Sequence, residues 1–161
     1  MKFTIIEVEV YIILLFTVWQ RDVSSRSFYL PSCKEITVPQ CKSLPYNKTL
    51  LPNSLSHTTQ FYVWISFQQY IPLIHTNCST QLVFFLCAMS LPICVNKSQS
   101  PFGTPHPVLP CRSVCEAVKQ ECLPTLRRFN ETWPQEQEFN CSLLPDFKKS
   151  ICISPSSFVK L

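Results

Sequence analysis

Ten cysteines constrain this chain more than any other feature. They occupy positions 33, 41, 78, 87, 94, 111, 115, 122, 141 and 152 of a sequence of 161 residues. An even number of cysteines at this density is typical of disulfide-bonded domains in an oxidising compartment. Zinc binding is the alternative use, but the chain has no C-x-x-C pair, and His57, His75 and His106 lie in no ligand-like cluster. The cysteines therefore predict a secreted or extracellular domain held by disulfides.

The amino-terminal segment resembles a secretory signal peptide. Lys2 precedes an apolar run of ten residues, Val10 to Trp19, which is too short to span a bilayer. Glu7 and Glu9 are unusual in such a segment, so an uncleaved signal anchor or a misassigned start is the alternative. The predicted division is a signal peptide over 1–25, a leader over 26–32, a cysteine-rich domain over 33–152 and a tail over 153–161.

Five N-x-[ST] sequons are consistent with secretion. Asn77 and Asn140 directly precede cysteines, which makes them poor acceptors. Asn47, Asn96 and Asn130 are the predicted glycosylation sites.

Charge and glycine content exclude several functions. The net charge is +4, and the basic residues are scattered rather than clustered, which argues against a nucleic-acid partner. Gly103 is the only glycine, so a glycine-rich phosphate loop is excluded. No Ser/His/Asp motif or paired carboxylates appear, so we expect neither an enzyme nor a cofactor.

Hydrophobic spacing predicts helices. Apolar residues recur at helical spacing from about Thr58, where Pro72 must kink or end the helix, and again from Ser79 to Met89. A third helix is expected after Pro110, with three cysteines within about 40° of one another on one face. The apolar residues expected on one face of the first helix are Val63, Trp64, Phe67, Ile71 and Ile74.

Extended structure is expected only in a short run, Ile36 to Val38, which Pro39 ends. The predicted fold class is thus a small disulfide-rich, mainly α-helical domain with a minor β element.

Five segments of this chain resemble the frizzled-type cysteine-rich domain. In order, they are CKEITVPQC, YNKTLLPNSLSH, QYIPL, FFLCAMSLPIC and PCRSVCE, and the likeness extends from Cys33 to Cys152. Sequence alone cannot select a disulfide pairing. The pairing that the resemblance implies is Cys33–Cys94, Cys41–Cys87, Cys78–Cys122, Cys111–Cys152 and Cys115–Cys141.

The same resemblance implies a ligand. Domains of this family bind Wnt proteins, which carry a covalent acyl chain, and they hold that chain in an apolar groove and grip a second part of Wnt with a separate patch. The groove positions here would be Gln69, Tyr70, Pro72, Leu126 and Phe129. The second patch would include Phe84, Val95 and Ile153.

Two departures from the family pattern bear on affinity. Glu131 stands where the family often has an aromatic residue, and the loop between Cys94 and Cys111 is longer than usual. The leading interpretation is an extracellular Wnt-binding module, either a soluble modulator or the ectodomain of a truncated frizzled receptor. The alternative is a lipid- or sterol-binding module on the same scaffold without a Wnt partner. Free fatty acid and a second copy paired through the groove are further candidate partners.

Overall fold

A small antiparallel sheet forms one side of the domain. The structure, a computed structural model, describes residues 31–96, 98–100, 103–133 and 139–158. Its sheet has the strand order β1-β2-β3-β4, and each neighbouring pair is antiparallel. The strands are β1 Ser32–Glu35, β2 Lys48–Leu51, β3 Ile93–Val95 and β4 His106–Val108. The predicted signal peptide lies outside the described residues.

The predicted extended run at residues 36–38 is wrong, because the first strand ends before it. Ile36 N still donates to Asn47 O at 2.8 Å. Thr37 N instead donates to the Gln60 side chain, with 2.7 Å between N and Oε1. The Thr37 amide therefore bonds to the side chain of a helical residue and not to a neighbouring strand. The next residue, Val38, lies in the core with 2% of its surface exposed.

Two short helices, separated by a 3-10 turn, form the first helical run, which was expected to be kinked or ended by Pro72. Helix α1 spans Gln60–Phe67, a 3-10 turn follows over Gln68–Tyr70, and helix α2 spans Ile71–His75. Pro72 lies in the first turn of α2, where its missing N–H breaks no helical bond. The helical run is interrupted, as Pro72 predicted, but the break lies over Gln68–Tyr70, just before the helix that contains Pro72.

The next two helices match their predicted positions. Helix α3 spans Leu82–Ser90 and is almost wholly buried. Helix α4 spans Arg112–Arg128, with Cys111 as its N-cap and Pro124 within it. Three further 3-10 turns, at Pro39–Cys41, Cys141–Leu143 and Pro155–Phe158, complete the described elements.

Five disulfides connect these elements. Cys33–Cys94 joins β1 to β3, and Cys41–Cys87 joins the loop after β1 to α3. Three more disulfides reach the α4 region from separate segments, and no described cysteine is free. These are Cys78–Cys122, Cys111–Cys152 and Cys115–Cys141. All five are the pairs that the resemblance implied.

An aromatic cluster forms the centre of the core. The Phe139 ring lies 5.5 Å from that of Tyr70 and 5.4 Å from that of Phe85, measured between centroids. Trp133 stacks obliquely on Phe85, and its indole Nε1 donates to Phe139 O at 3.3 Å. The cluster therefore joins the turn after α1, helix α3 and the segment that follows α4. The predicted fold class is confirmed, and the sheet is larger than expected.

The folded unit is longer than the predicted domain. Ser32 belongs to β1. At the other end, Ile153 is buried, and the Phe158 ring lies 6.3 Å from that of Tyr46. Residues assigned to the leader and the tail thus take part in the fold.

Candidate functional site

The carboxyl end of α4 is fixed by a Schellman cap. Asn130 has a positive φ of 55°, and its N–H donates to Arg127 O at 3.2 Å. Glu131 N donates to Leu126 O at 2.9 Å. This bond pattern with a left-handed residue is the usual way to satisfy the last carbonyls of a helix. With this cap, the Leu126 side chain is buried and the Phe129 side chain is 68% exposed.

A disulfide ties this helix end to the segment after α1. Cys122 lies one turn before Leu126 on α4, and its partner Cys78 follows α2 by three residues. The Cα atoms of this pair are 4.9 Å apart. The two segments that carry the predicted groove residues are therefore linked covalently.

The five predicted groove residues divide into two inside the core and three outside it. Tyr70 and Leu126 are 9% and 8% exposed and belong to the same buried cluster. Gln69 and Pro72 are exposed, as is Phe129. In this structure, only these three can contact a ligand that arrives from solvent. Because Tyr70 is part of the core, a charged substitution there would disturb the core as well as any groove.

Glu131 is exposed at the position after the left-handed residue of the cap. In many Schellman motifs an apolar residue here packs on the residue that corresponds to Leu126. A carboxylate makes no such apolar contact. Its position next to the predicted groove thus adds polarity where the family pattern favours an aromatic ring.

The second predicted patch is only partly at the surface. Phe84 on α3 and Val95 on β3 are half-buried. Ile153 is 6% exposed, because its backbone bridges to Leu109 and Cys111: its N–H donates to Leu109 O at 3.0 Å, and its O accepts from Cys111 N at 2.8 Å. The structure corrects the expectation that Ile153 is a surface contact, and it leaves Phe84 and Val95 as the accessible members.

Helix α1 carries an exposed apolar face that periodicity did not single out. Phe61, Tyr62, Trp64 and Ile65 are 62%, 54%, 41% and 47% exposed, although Trp64 was expected to face the core. Only Val63 and Phe67 of this helix are buried. The signal in the sequence was the unbroken run FYVWI, which is apolar around the whole helix and not on one side.

A polar network holds α1 against the loop that precedes it. Asn53 Oδ1 accepts from Leu55 N and His57 N, so its amide nitrogen faces His57 Nδ1 at 3.0 Å. Because that amide nitrogen can only donate, the imidazole proton lies on Nε2, which is 2.7 Å from Ser66 Oγ. Ser66 Oγ in turn donates to Tyr62 O at 2.9 Å.

A cleft of about 860 Å³ lies between the starts of α3 and α4 and the last described turn. It contains Gln81 and Phe147 and a serine-rich edge, Ser154 to Ser157. The serine hydroxyls bond to one another, with 2.8 Å between the oxygens of Ser154 and Ser156. None of the predicted groove or patch residues lines this cleft.

Neither metal coordination nor a membrane-spanning helix is found in the described ranges. No group of three or more His, Cys, Asp or Glu side chains there could hold a metal ion. No described helix has the length and apolar character needed to cross a bilayer.

Comparison with known proteins gives a consistent result. The family model described as Fz domain matches residues 33–148. Secreted frizzled-related protein 3 of Mus musculus is 41% identical over 128 residues, which are 80% of this chain and 38% of the relative. Frizzled-5 of Xenopus laevis is 42% identical over 114 residues, which are 71% of this chain and 19% of the relative. The chain thus spans well under half the length of these relatives.

A solved structure shares the fold. The cysteine-rich domain (CRD) of Smoothened superposes with a TM-score of 0.51 at 20% sequence identity, covering 73% of this chain and 96% of that domain. The secreted relatives and the paired cysteines confirm the predicted localisation outside the cell. The extent of the family match and the identity to its members show that this chain belongs to the Fz domain family.

Proposed function

We propose that this chain is an extracellular Wnt-binding module that holds the Wnt acyl chain in an apolar groove. It would act outside the cell, as a modulator of Wnt or as the ligand-binding domain of a frizzled receptor. Membership of the Fz domain family supports a role in Wnt signalling, and the similarity to secreted frizzled-related proteins supports a binding role over catalysis.

Phe129 is the observation that carries the acyl-groove proposal. Its side chain is 68% exposed, and the Schellman cap fixes the backbone that follows it. The apolar surface of the ring is therefore exposed to solvent at a defined position. Transferring apolar surface out of water yields about 0.8 kcal/mol per buried CH2 group. An acyl chain is therefore the kind of ligand that gains most from contact with such a ring.

The test compares two exposed apolar residues. We expect Phe129→Glu to abolish binding of acylated Wnt, because it places a charge against an acyl chain. Leu143→Glu is the matched control, since Leu143 is 76% exposed and outside the predicted groove. Binding is measured by biolayer interferometry with acylated Wnt and with Wnt that lacks the acyl chain.

Removal of the acyl chain should eliminate most of the affinity of the unmodified domain, while moderate salt should change it little. Equal binding of both Wnt forms, or equal effects of the two glutamate substitutions, would show that the lipid groove is assigned wrongly.

The alternative is a lipid- or sterol-binding module without a Wnt partner. The exposed carboxylate of Glu131, where the family often has an aromatic residue, favours this alternative or a weakened Wnt binder over a full-affinity Wnt binder. Titration with a fluorescent fatty acid and a fluorescent sterol separates the two functions. A lipid carrier would bind one of these probes and show no affinity for acylated Wnt.

A further inference from the structure

Four side chains of α1 form a continuous apolar surface, which we call the α1 patch: Phe61, Tyr62, Trp64 and Ile65. The rings of Phe61 and Trp64 stack with 6.0 Å between centroids, and Phe61 meets Tyr62 edge-on at 6.1 Å. Ile65 follows Phe61 by one helical turn and so lies on the same side. Within the described part of the chain, the ring contacts of this patch are among its own members. Val63 and Phe67 of the same helix are buried in the core.

The α1 patch lies within a long uncharged part of the chain. From Thr49 to Asn96 the sequence contains no Asp, Glu, Lys or Arg, and Lys48 and Lys97 bracket this segment. The strand residue that bonds to the start of α1 adds no unpaired charge. Gln60 reaches β1 through a bond to the Glu35 carbonyl oxygen, and the Glu35 carboxylate is paired with Lys48 at 3.9 Å.

The size of the α1 patch argues against a dimer interface as its main role. At about half exposure, each of these large side chains offers about 100 Å², or about 400 Å² for the four. A stable interface between proteins buries about 800 Å² on each partner. One eight-residue helix provides about half of that area, whereas insertion into a lipid interface needs no complementary partner surface.

Its composition matches the polar–apolar boundary of a bilayer. Tyr and Trp are enriched at membrane interfaces, because each has an apolar ring and a polar group that stays hydrated. Phe61 and Ile65 provide purely apolar surface next to them. Because Asp, Glu, Lys and Arg are absent from Thr49 to Asn96, no carboxylate, ammonium or guanidinium of that segment must be desolvated, and none is there to attract anionic lipid.

We propose that the α1 patch docks the domain onto a neutral lipid surface, of the zwitterionic phosphatidylcholine type. Phe61, Tyr62, Trp64 and Ile65 insert at the level of the headgroups, and α1 lies in the plane of the interface. Asn53, His57 and Ser66 hold the helix rigidly for this contact through the network described above. The inference does not depend on the proposed binding of Wnt.

Flotation of the full chain with vesicles tests the docking. The vesicles contain phosphatidylcholine and cholesterol, with or without phosphatidylserine. We expect Phe61→Gln/Ile65→Gln to lower the partition coefficient by about tenfold or more, because two half-exposed apolar side chains no longer enter the lipid. The matched control is Leu143→Gln/Ile151→Gln, which alters two side chains that are 76% and 85% exposed outside the patch, and we expect it to change partitioning by less than about twofold.

Tryptophan fluorescence provides a second measurement that needs no disruptive variant. The chain has three tryptophans, Trp19, Trp64 and Trp133, and of the latter two only Trp64 is exposed to any extent, since Trp133 is 4% exposed. Brominated phosphatidylcholine should quench the unmodified protein more than Trp64→Phe, which retains the other two indoles. Near-UV circular dichroism and thiol labelling verify that each variant is folded.

Several results would overturn the proposal. Equal partitioning of Phe61→Gln/Ile65→Gln and the unmodified chain would assign any vesicle binding to another segment. Binding that requires phosphatidylserine and disappears in high salt would make it electrostatic. Equal quenching of the unmodified protein and Trp64→Phe would remove Trp64 from the lipid, and self-association through the patch without vesicle binding would identify a second copy as its occupant.

Discussion

At the residue scale, the position of one phenol illustrates how a loop residue can support the fold. Tyr46 lies in the connection before β2, and its hydroxyl donates to Leu91 O at 2.8 Å. Leu91 is fully buried, so this bond satisfies a carbonyl at the end of α3 that would otherwise lack a partner. Burial raises the pKa of the Tyr46 phenol well above its ordinary value.

This pKa shift predicts a loss of stability at alkaline pH. The unfolded phenol loses its proton near pH 10, whereas the folded one keeps it, so the free energy of unfolding is unaffected by this group below that pH and declines above it. Tyr46→Phe should reduce the free energy of unfolding by about 1 kcal/mol at pH 8, because the Leu91 carbonyl loses its donor. The gap between the two proteins should narrow between pH 9.5 and about 11.

Denaturant unfolding at a series of pH values, with the disulfides intact, measures both effects. A gap that stays constant up to pH 11 would mean that the phenol is as free to ionise in the folded protein as in the unfolded chain.

At the element scale, the end of α4 determines which apolar groups remain outside the core. The Schellman cap turns the chain sharply at Asn130, so Leu126 stays inside while Phe129 points out. Asparagine tolerates the left-handed conformation better than most residues, although glycine is more common there. The same asparagine begins a predicted glycosylation sequon, and it is exposed, as Asn47 and Asn96 are.

Substitution at Asn130 should therefore separate backbone strain from side-chain effects. Asn130→Ala should lower the free energy of unfolding by about 1 kcal/mol, because a Cβ without a compensating polar group is strained at positive φ. Asn130→Gly should leave stability equal or slightly higher. Thr132→Ala is the control, because it removes the sequon and keeps Asn130. A glycine variant no more stable than the alanine variant would contradict the capping role.

At the scale of the whole molecule, disulfides compensate for a small hydrophobic core. Their ends are separated by 61, 46, 44, 41 and 26 residues along the chain, so they restrict most of the described fold. Each such bridge typically stabilises a domain by about 2–5 kcal/mol, without strict additivity. Three of them meet in the region of α4, which is therefore the element most firmly fixed to the rest.

Thiol chemistry tests this framework. We expect no labelled cysteine when the native protein is denatured without reductant, and peptide mapping under those conditions should recover the five pairs. Full reduction should abolish the near-UV circular dichroism signal, because the short helices and strands lack sufficient core to persist alone. One labelled cysteine, or a native-like spectrum after reduction, would refute the framework.

The sequence by itself determined the class of this domain. Ten cysteines specified an oxidising compartment, and five motifs identified the family and implied the pairing that the structure contains. Pro72 excluded one continuous helix through α1 and α2, because in a helix interior its ring would clash with the carbonyl of Gln68, four residues earlier. Local chemistry was sufficient for these features.

Only the tertiary structure decided which residues of the candidate site face solvent. Periodicity placed Trp64 with the core and the family motif placed Ile153 in a surface patch, yet the first is exposed and the second is buried. Just after β1, the Gln60 side chain binds both the Glu35 carbonyl and the Thr37 amide, contacts between residues 25 and 23 positions apart. Exposure and strand ends depend on such long-range partners, and a linear pattern contains no information on which distant segment will provide them.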